Sequence, residues 1–203
     1  MTLNQTLNLS AKRSVVLMVT ALLAVLLTAC AHSPVQVQIK PEIQVAPDTI
    51  GSGYTLQARG VNKLPGGGLG SLGGIYADSS NVTLANDIEG ALGSTLSQGF
   101  ESWSFRTVDG SADVQVVANL TELHYDSPNK LYTTKVDTGA SIQLQVSVGG
   151  ATYFGNYSTS GKDRNLIKPS REEVEASINR LLSATLQRAF EDEKLKAFLY
   201  QHL

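Results

Sequence analysis

The strongest periodic signal in the chain lies between residues 174 and 189, where Val174, Ile178, Leu181, Leu182, Thr185, Leu186 and Ala189 recur at spacings of three and four. That is the stripe of an amphipathic helix. Ser170-Arg-Glu-Glu173, just behind Pro169, has the form of a capping box, in which a serine hydroxyl and a glutamate each accept a backbone N–H that the first turn leaves unpaired. The run Glu191-Asp-Glu-Lys194 interrupts the stripe, so Leu195, Phe198, Leu199 and Leu203 are expected on a separate short helix capped by Asp192. Leu84, Ile88, Leu92, Leu96, Phe100 and Trp103 predict a further helix over about Thr83 to Trp103. Its Gly90, Gly93 and Gly99 each cost a helix interior up to about 1 kcal/mol relative to Ala. Packing of the stripe on a sheet must therefore supply the stability, with the glycines permitting close backbone approach.

Elsewhere the period is two. Val35-Gln-Val-Gln-Ile39 predicts a half-buried strand ending at Pro41, and a second strand is expected over Tyr54 to Val61. Val114, Val116, Ala118 and Leu120 alternate with Asp113, Gln115, Asn119 and Thr121, and the parity then slips before Leu123 and Tyr125, which predicts a bulge or twist. Ser127-Pro128-Asn129-Lys130 reads as a turn. A returning strand sets Ile142, Leu144, Val146 and Val148 against Ser141, Gln143, Gln145 and Ser147, the pattern of a sheet buried on one side. If Gly149-Gly150 forms a two-residue hairpin loop, Val148 pairs with Ala151, Val146 with Tyr153, Leu144 with Gly155 and Ile142 with Tyr157. Nine of the 18 glycines lie between Gly51 and Gly74, and the stretch from Pro65 to Gly74 reads as a mobile loop with no periodic apolar face. The whole predicts an α+β domain, an antiparallel-rich sheet with helices packed on one face.

Residues 1–29 contain no Asp or Glu, carry Lys12 and Arg13, and then run from Ser14 to Thr28 without a charge. A bilayer-spanning helix needs about 20 apolar residues, and this shorter run ends in small residues followed by Ala31-His32-Ser33-Pro34, the pattern of a secretory signal that is removed. Leu27-Thr28-Ala29-Cys30 resembles the lipobox of bacterial lipoproteins, and Cys30 is the only cysteine of the chain. The resemblance implies cleavage between Ala29 and Cys30, with S-diacylglycerol and N-acyl groups on Cys30. Two membrane signals hold stably where one acyl chain does not, so a triacylated Cys30 would moor the protein to its leaflet. Ala31, where an Asp would retain a lipoprotein at the inner membrane, implies the outer membrane. The expected organisation is a signal peptide over 1–29, an acylated cysteine and short tether over 30–34, and a single periplasmic domain over 35–203. At about 3.5 Å per extended residue, Ala31 to Pro34 reaches about 14 Å at most, so the domain rides close to the membrane.

With 42% hydrophobic and 17% charged residues, the composition is that of an ordinary globular chain. Lys and Arg number 16 against 18 Asp and Glu, without the positive excess that a phosphate backbone selects for, so nucleic acid is not an expected partner. Loss of the signal would remove Lys12 and Arg13 and leave 14 basic against 18 acidic side chains. With a single, acylated cysteine no internal disulfide can form, and packing alone must hold the core.

The lipobox, the Val-Gln-Ile-Lys-Pro strand after a short tether, the first helix, the Asp113-Val-Gln-Val-Val117 strand and the capped helix at Ser170 follow one another in an order that resembles the YajG family of bacterial lipoproteins. The likeness covers most of the chain after Cys30, with the Gly-rich loop 65–74 outside the family pattern. It implies an outer-membrane lipoprotein without an established biochemical activity, and it brings no catalytic residue.

Candidate chemistry is sparse. Gly68-Leu-Gly70-Ser-Leu-Gly73 matches G-x-G-x-x-G, but no helix is predicted to open after it and hold a pyrophosphate. His32 lies in the tether and His202 one residue from the end, which leaves His124, near Asp126, as the candidate general base. No second carboxylate is seen to pair with it, and no set of about three zinc ligands assembles. Phe100 and Trp103 are read as core, and Glu172, Glu173, Glu175, Glu191 and Glu193 as the wet face of the last helices. No catalytic residue, cofactor or metal is assigned. The expected function is a non-enzymatic envelope adaptor that binds an envelope protein or peptidoglycan. The alternatives are a lipid- or small-ligand-binding accessory lipoprotein of an envelope transport system, using a groove between sheet and helices, and a cell-wall-acting enzyme.

Overall fold

The structure is a computed structural model that describes residues 34–66, 68–72, 80–127, 129–130, 133–165 and 169–203. The expected cleavage and acylation site at Ala29 and Cys30 lies outside them. Strands β1 (Val35–Val37), β2 (Thr55–Asn62), β3 (Gly70–Ser71) and β4 (Asn81–Leu84) precede helix α1 (Ile88–Ser102). Then come β5 (Arg106–Thr107), β6 (Val114–Asp126), β7 (Asn129–Lys130), β8 (Thr133–Val148) and β9 (Ala151–Asn165), and finally α2 (Arg171–Phe190) and α3 (Glu193–His202).

The larger sheet runs β5-β2-β6-β8-β7, with β9 on the other side of β8, and a smaller sheet runs β1-β4-β3. The expected hairpin register holds at all four positions, Val148 with Ala151, Val146 with Tyr153, Leu144 with Gly155 and Ile142 with Tyr157. Gly149 and Gly150 sit at φ 54° and 89°, the positive values that a two-residue turn of this twist demands. The expected parity slip is a bulge, since Leu120 pairs with Ile142 while Glu122 pairs with Ser141. Thr121 is the extra residue. The sheet is not antiparallel throughout: β2 lies parallel to both β5 and β6, as a connection through a helix requires.

Inward residues of β2, β6 and β8 meet the stripes of α1 and α2 in one core that includes Leu56, Val116, Leu144, Leu96 and Leu182, each at most 1% exposed. Phe100, Trp103, Phe105 and Phe190 fill the space between sheet and helices with edge-on ring contacts 5.1 to 5.7 Å between centroids. Phe100 and Trp103 are thus core, as read from the stripe. Helix α2 begins with the expected capping box, and Asp192 caps α3 through a hydrogen bond from Lys194 N–H.

Several expectations change. Asn129 and Lys130, expected in a turn, form β7 and pair with Thr134 and Thr133. Helix α1 starts at Ile88, capped by Asp87, and Thr83 and Leu84 belong to β4. Leu84 continued the helical spacing by coincidence, because it packs on the core from a strand. The Gly-rich stretch does bury apolar groups: Leu69 and Leu72 are 3% and 2% exposed, and Gly70–Ser71 between them pairs with β4. Gly70, at φ 130°, lies so close to β6 that a Cβ would fall 2.3 Å from the Tyr125 carbonyl oxygen. Of the α1 glycines, Gly93 and Gly99 do face close neighbours, the β2 backbone at Arg59 and the Phe190 ring, whereas a Cβ at Gly90 would meet only the Asp87 side chain. Finally, the strand expected at 35–39 pairs only over Val35–Val37, parallel to β4. The residues after it form the site described next.

Candidate functional site

Residues 38–45 run extended across the helical layer without joining a sheet. Pro41 suits this role, since its fixed φ is compatible with extended backbone and it has no N–H to place. Helix α2 holds the strap from one side. The N–H groups of Gln38, Lys40, Glu42 and Gln44 donate to Glu175 Oε2, Asn179 Oδ1, Ser183 Oγ and Gln187 Oε1 at 2.7 to 3.0 Å. Asn179 Nδ2 and Gln187 Nε2 return bonds to the carbonyls of Gln38 and Gln44 at 2.8 and 2.9 Å. Two extended residues advance about 6.7 Å and four helical residues about 6 Å, and that near-match lets side chains four apart on a helix serve backbone groups two apart on a strand. A row of polar helix residues thus replaces a neighbouring strand.

Helix α1 serves the other side less completely. Asn86 accepts from Ile39 N–H at 2.7 Å and donates to Ile39 O at 2.8 Å. Thr95 Oγ1 lies 3.0 Å from the Pro41 carbonyl. The next N–H on this side, that of Ile43, has no acceptor among the described residues. Here strap and helix part to leave an open groove of about 820 Å³, floored by Ile39, Pro41 and Thr95 and walled by Gly90, Ser94 and Gln98. Lys40 and Glu42 on its rim pair at 3.7 Å and are largely in solvent. Hydroxyls, amides and one free N–H make it a place for a neutral polar group.

Two further clusters fasten α3. Tyr153 and Tyr157 on β9 donate to Asp192 Oδ2 at 2.5 and 2.7 Å. Burial works against ionisation of Asp192, but the two phenols and Lys194 N–H outweigh it and hold the carboxyl below its ordinary value. Burial, followed by the bonds to Tyr153 and Asp192, pushes the Tyr157 phenol well above its ordinary value. Asp48 takes Lys196 Nζ at 3.2 Å and the Tyr200 hydroxyl at 3.1 Å, while the Lys196 ammonium lies 5.1 Å from the centre of the Trp103 ring.

Of the other residues singled out in the sequence, His124 is joined to carboxylates other than the expected one. Its Nδ1 lies 3.1 Å from Glu122 Oε1 and its Nε2 3.8 Å from Asp137 Oδ1, because Glu122, two positions back on the same strand, shares its face and β8 brings Asp137 alongside. Asp126 instead accepts from Ser71 N–H at 3.3 Å. Gly68 and Gly70 lead into β3 rather than a helix, and Gly73 lies outside the described residues. Glu175 is not simply wet, since it anchors the strap. The strap ladder escaped the sequence reading, although a signal existed: Glu175, Asn179, Ser183 and Gln187 are polar, hydrogen-bonding and spaced by four beside an apolar stripe. Among the described residues no three His, Cys, Asp or Glu side chains group to hold a metal, and no helix is long and apolar enough to cross a membrane.

An α+β layered domain of this kind, with a strap leading from its amino-terminal side, matches the sequence profile of a family described as uncharacterized lipoprotein over residues 41–200. The chain belongs to that family, in agreement with its resemblance to YajG, and is accordingly a membrane-anchored lipoprotein of the cell envelope. None of the curated proteins searched matches it. Among solved structures it is similar to a protein from Xanthomonas campestris at 11% identity and TM-score 0.48, covering 75% of this chain and 91% of that one. It is also similar to a homologue of neuraminyllactose-binding hemagglutinin from Helicobacter pylori, at 10% identity and TM-score 0.35 over 84% and 97% of the two chains. A lipoprotein from Neisseria meningitidis matches at 12% identity and TM-score 0.27, over 68% and 98%.

Proposed function

We propose that this lipoprotein is a non-enzymatic envelope adaptor, moored to the periplasmic face of the outer membrane by acylated Cys30, that takes a polar segment of an envelope protein in the groove between its strap and α1. The observation that carries the reading is the incomplete service of the strap on its α1 side. Among the described residues Ile43 N–H has no acceptor, at an open groove whose walls offer Ser94 and Gln98, the equipment for one more stretch of backbone. The strap also begins within ten residues of Cys30, so an occupant would be held close to the membrane. A carrier of lipid is less well supported, because the space between sheet and helices is filled by Phe100, Trp103, Phe105 and Phe190 and the open groove is largely polar.

The test is a photo-crosslinking side chain at Gln98 in the full lipoprotein in living cells. One protein captured in equal amount, and lost when Ser94→Trp fills the groove without lowering the melting temperature, is the expected result. Copurified lipid displaced by the same substitution, or turnover of muropeptides by the purified protein, would overturn the adaptor reading. The mooring is tested separately: Cys30→Ser should abolish processing and retention in washed envelopes, and a variant still cut and retained would refute it.

A further inference from the structure

The larger sheet has edges of very different kinds. β5 and β7 are two residues each, short enough to offer little to a passing strand. β9 is 15 residues long and, among the described residues, pairs only with β8. Its outward backbone groups can be identified from register. Thr121 Oγ1 donates to the Ser141 carbonyl at 3.1 Å, so the odd-numbered β8 residues turn their backbone toward β6 and the even-numbered ones toward β9. Ser141 faces Ser158 and Gln145 faces Phe154 across the β8–β9 ladder, and these are therefore its non-bonded pairs. The N–H and carbonyl groups of Thr152, Phe154, Asn156, Ser158 and Ser160 accordingly point away from the sheet, and among the described residues none is paired.

Long exposed edges are ordinarily guarded by Lys, Pro, a bulge or a covering helix. Among the described residues this one has no such guard from Ala151 to Gly161: the β8–β9 register is continuous, and no charged residue or proline occurs anywhere from Thr138 to Gly161. At its middle Phe154 is 58% exposed. A segment of high β-propensity without gatekeepers is an aggregation hazard unless something covers it.

We propose that the free edge of β9 is covered by the same edge of a second copy of this protein, the two strands running antiparallel about a twofold axis at Asn156. Self-pairing is favoured by charge. An edge without charges lets a second copy pair with it about a twofold axis without setting like charges opposite one another. Centred on Asn156, Phe154 meets Ser158 of the other copy and Thr152 meets Ser160, while Lys162 falls opposite Gly150, beyond the paired strand. Asn156 Oδ1 already accepts from Gln143 Nε2 at 3.3 Å, and Asn156 Nδ2 is left to face its counterpart. A strand pair alone covers less than the roughly 1,200 Å² of a stable soluble complex. Confinement of an anchored protein to one membrane surface raises the effective concentration and makes up the difference.

The test uses the full acylated protein in phosphatidylethanolamine–phosphatidylglycerol vesicles. In a bonded antiparallel pair, Cα atoms stand about 5.5 Å apart, within disulfide reach, so Asn156→Cys should form an intermolecular disulfide under mild oxidant. Thr152→Cys, about 27 Å from its own copy at 3.4 Å per residue, should not. Adding Ser158→Lys, which sets a charge against Phe154, should abolish the Asn156→Cys crosslink. Hydrogen exchange on the unsubstituted protein gives an answer independent of any variant: the Phe154, Asn156 and Ser158 amides should exchange at least tenfold more slowly in vesicles than in dilute detergent. Equal crosslinking at 152 and 156, or free exchange of the three amides in vesicles, would overturn the proposal. Protection of those amides with no Asn156→Cys crosslink would mean another protein's strand occupies the edge, and would overturn it too.

Discussion

Asn179→Ala removes one complete rung of the strap ladder. Its side chain accepts from Lys40 N–H at 2.7 Å and donates to Gln38 O at 2.8 Å, and alanine keeps the helix while deleting both bonds. A net intramolecular hydrogen bond contributes about 0.5–1.5 kcal/mol. These two are solvent-accessible, so the freed groups rehydrate, and the expected loss is about 1–2 kcal/mol. For a domain of this size that lowers Tm by about 2–8 °C. The more telling measurement is hydrogen exchange, because the strap should open before the rest of the domain. Amides of Gln38, Lys40 and Glu42 should exchange several-fold faster in the variant, while those of Val116 and Leu144 follow only the global change. Arg180→Ala, on the next position of the same helix, should stay within about 0.5 kcal/mol of the parent. If Asn179→Ala melts early yet leaves the exchange of Lys40 unchanged, the strap is not held by the α2 side chains and the reasoning fails.

Gly60→Ala should destabilise by about 1–3 kcal/mol, read by urea unfolding, because its Cβ would lie 2.5 Å from the Glu89 carbonyl oxygen and 2.8 Å from Leu92 Cβ, where helix backbone cannot yield. Ser170→Ala should cost about 1 kcal/mol through loss of the capping box, with exchange of the Glu173 amide accelerated. The Asp192 network predicts two pH limits. The Asp192 carboxyl titrates lower in the folded protein than its ordinary value of 3.8, so its contribution is present above that value and is lost as pH falls below it. Tyr157 titrates higher than its ordinary 10.0, so its contribution is present below pH 10 and is lost as pH rises beyond it. Asp192→Ala should flatten the acid limb of a stability–pH curve and Tyr157→Phe the alkaline limb, and an unaltered curve in either variant would refute the assignment.

What the sequence by itself determined was local or strictly periodic. The Gly149-Gly150 turn sets the β8–β9 register because a two-residue loop fixes which residues face each other, and a one-residue slip would turn Tyr153 and Tyr157 to the polar side. The capping box at Ser170, the break at Glu191 and the cap at Asp192 depend on groups within four residues of one another. The Thr121 bulge was legible as a change of parity. Tertiary structure decided the rest, because the deciding partner is distant in sequence. Val35 to Val45 alternates in the same way whether its backbone meets a strand or a row of helix side chains, and only the packing of α2, more than 130 residues away, makes it a strap and leaves a groove along α1. Gly70 and the buried Leu69 and Leu72 read as loop until the end of β6 comes within contact distance. Glu122, His124 and Asp126 share one face of β6 by ordinary alternation, and tertiary contacts sort them: Asp126 turns to the Ser71 N–H, while Glu122 and, from β8, Asp137 face the imidazole.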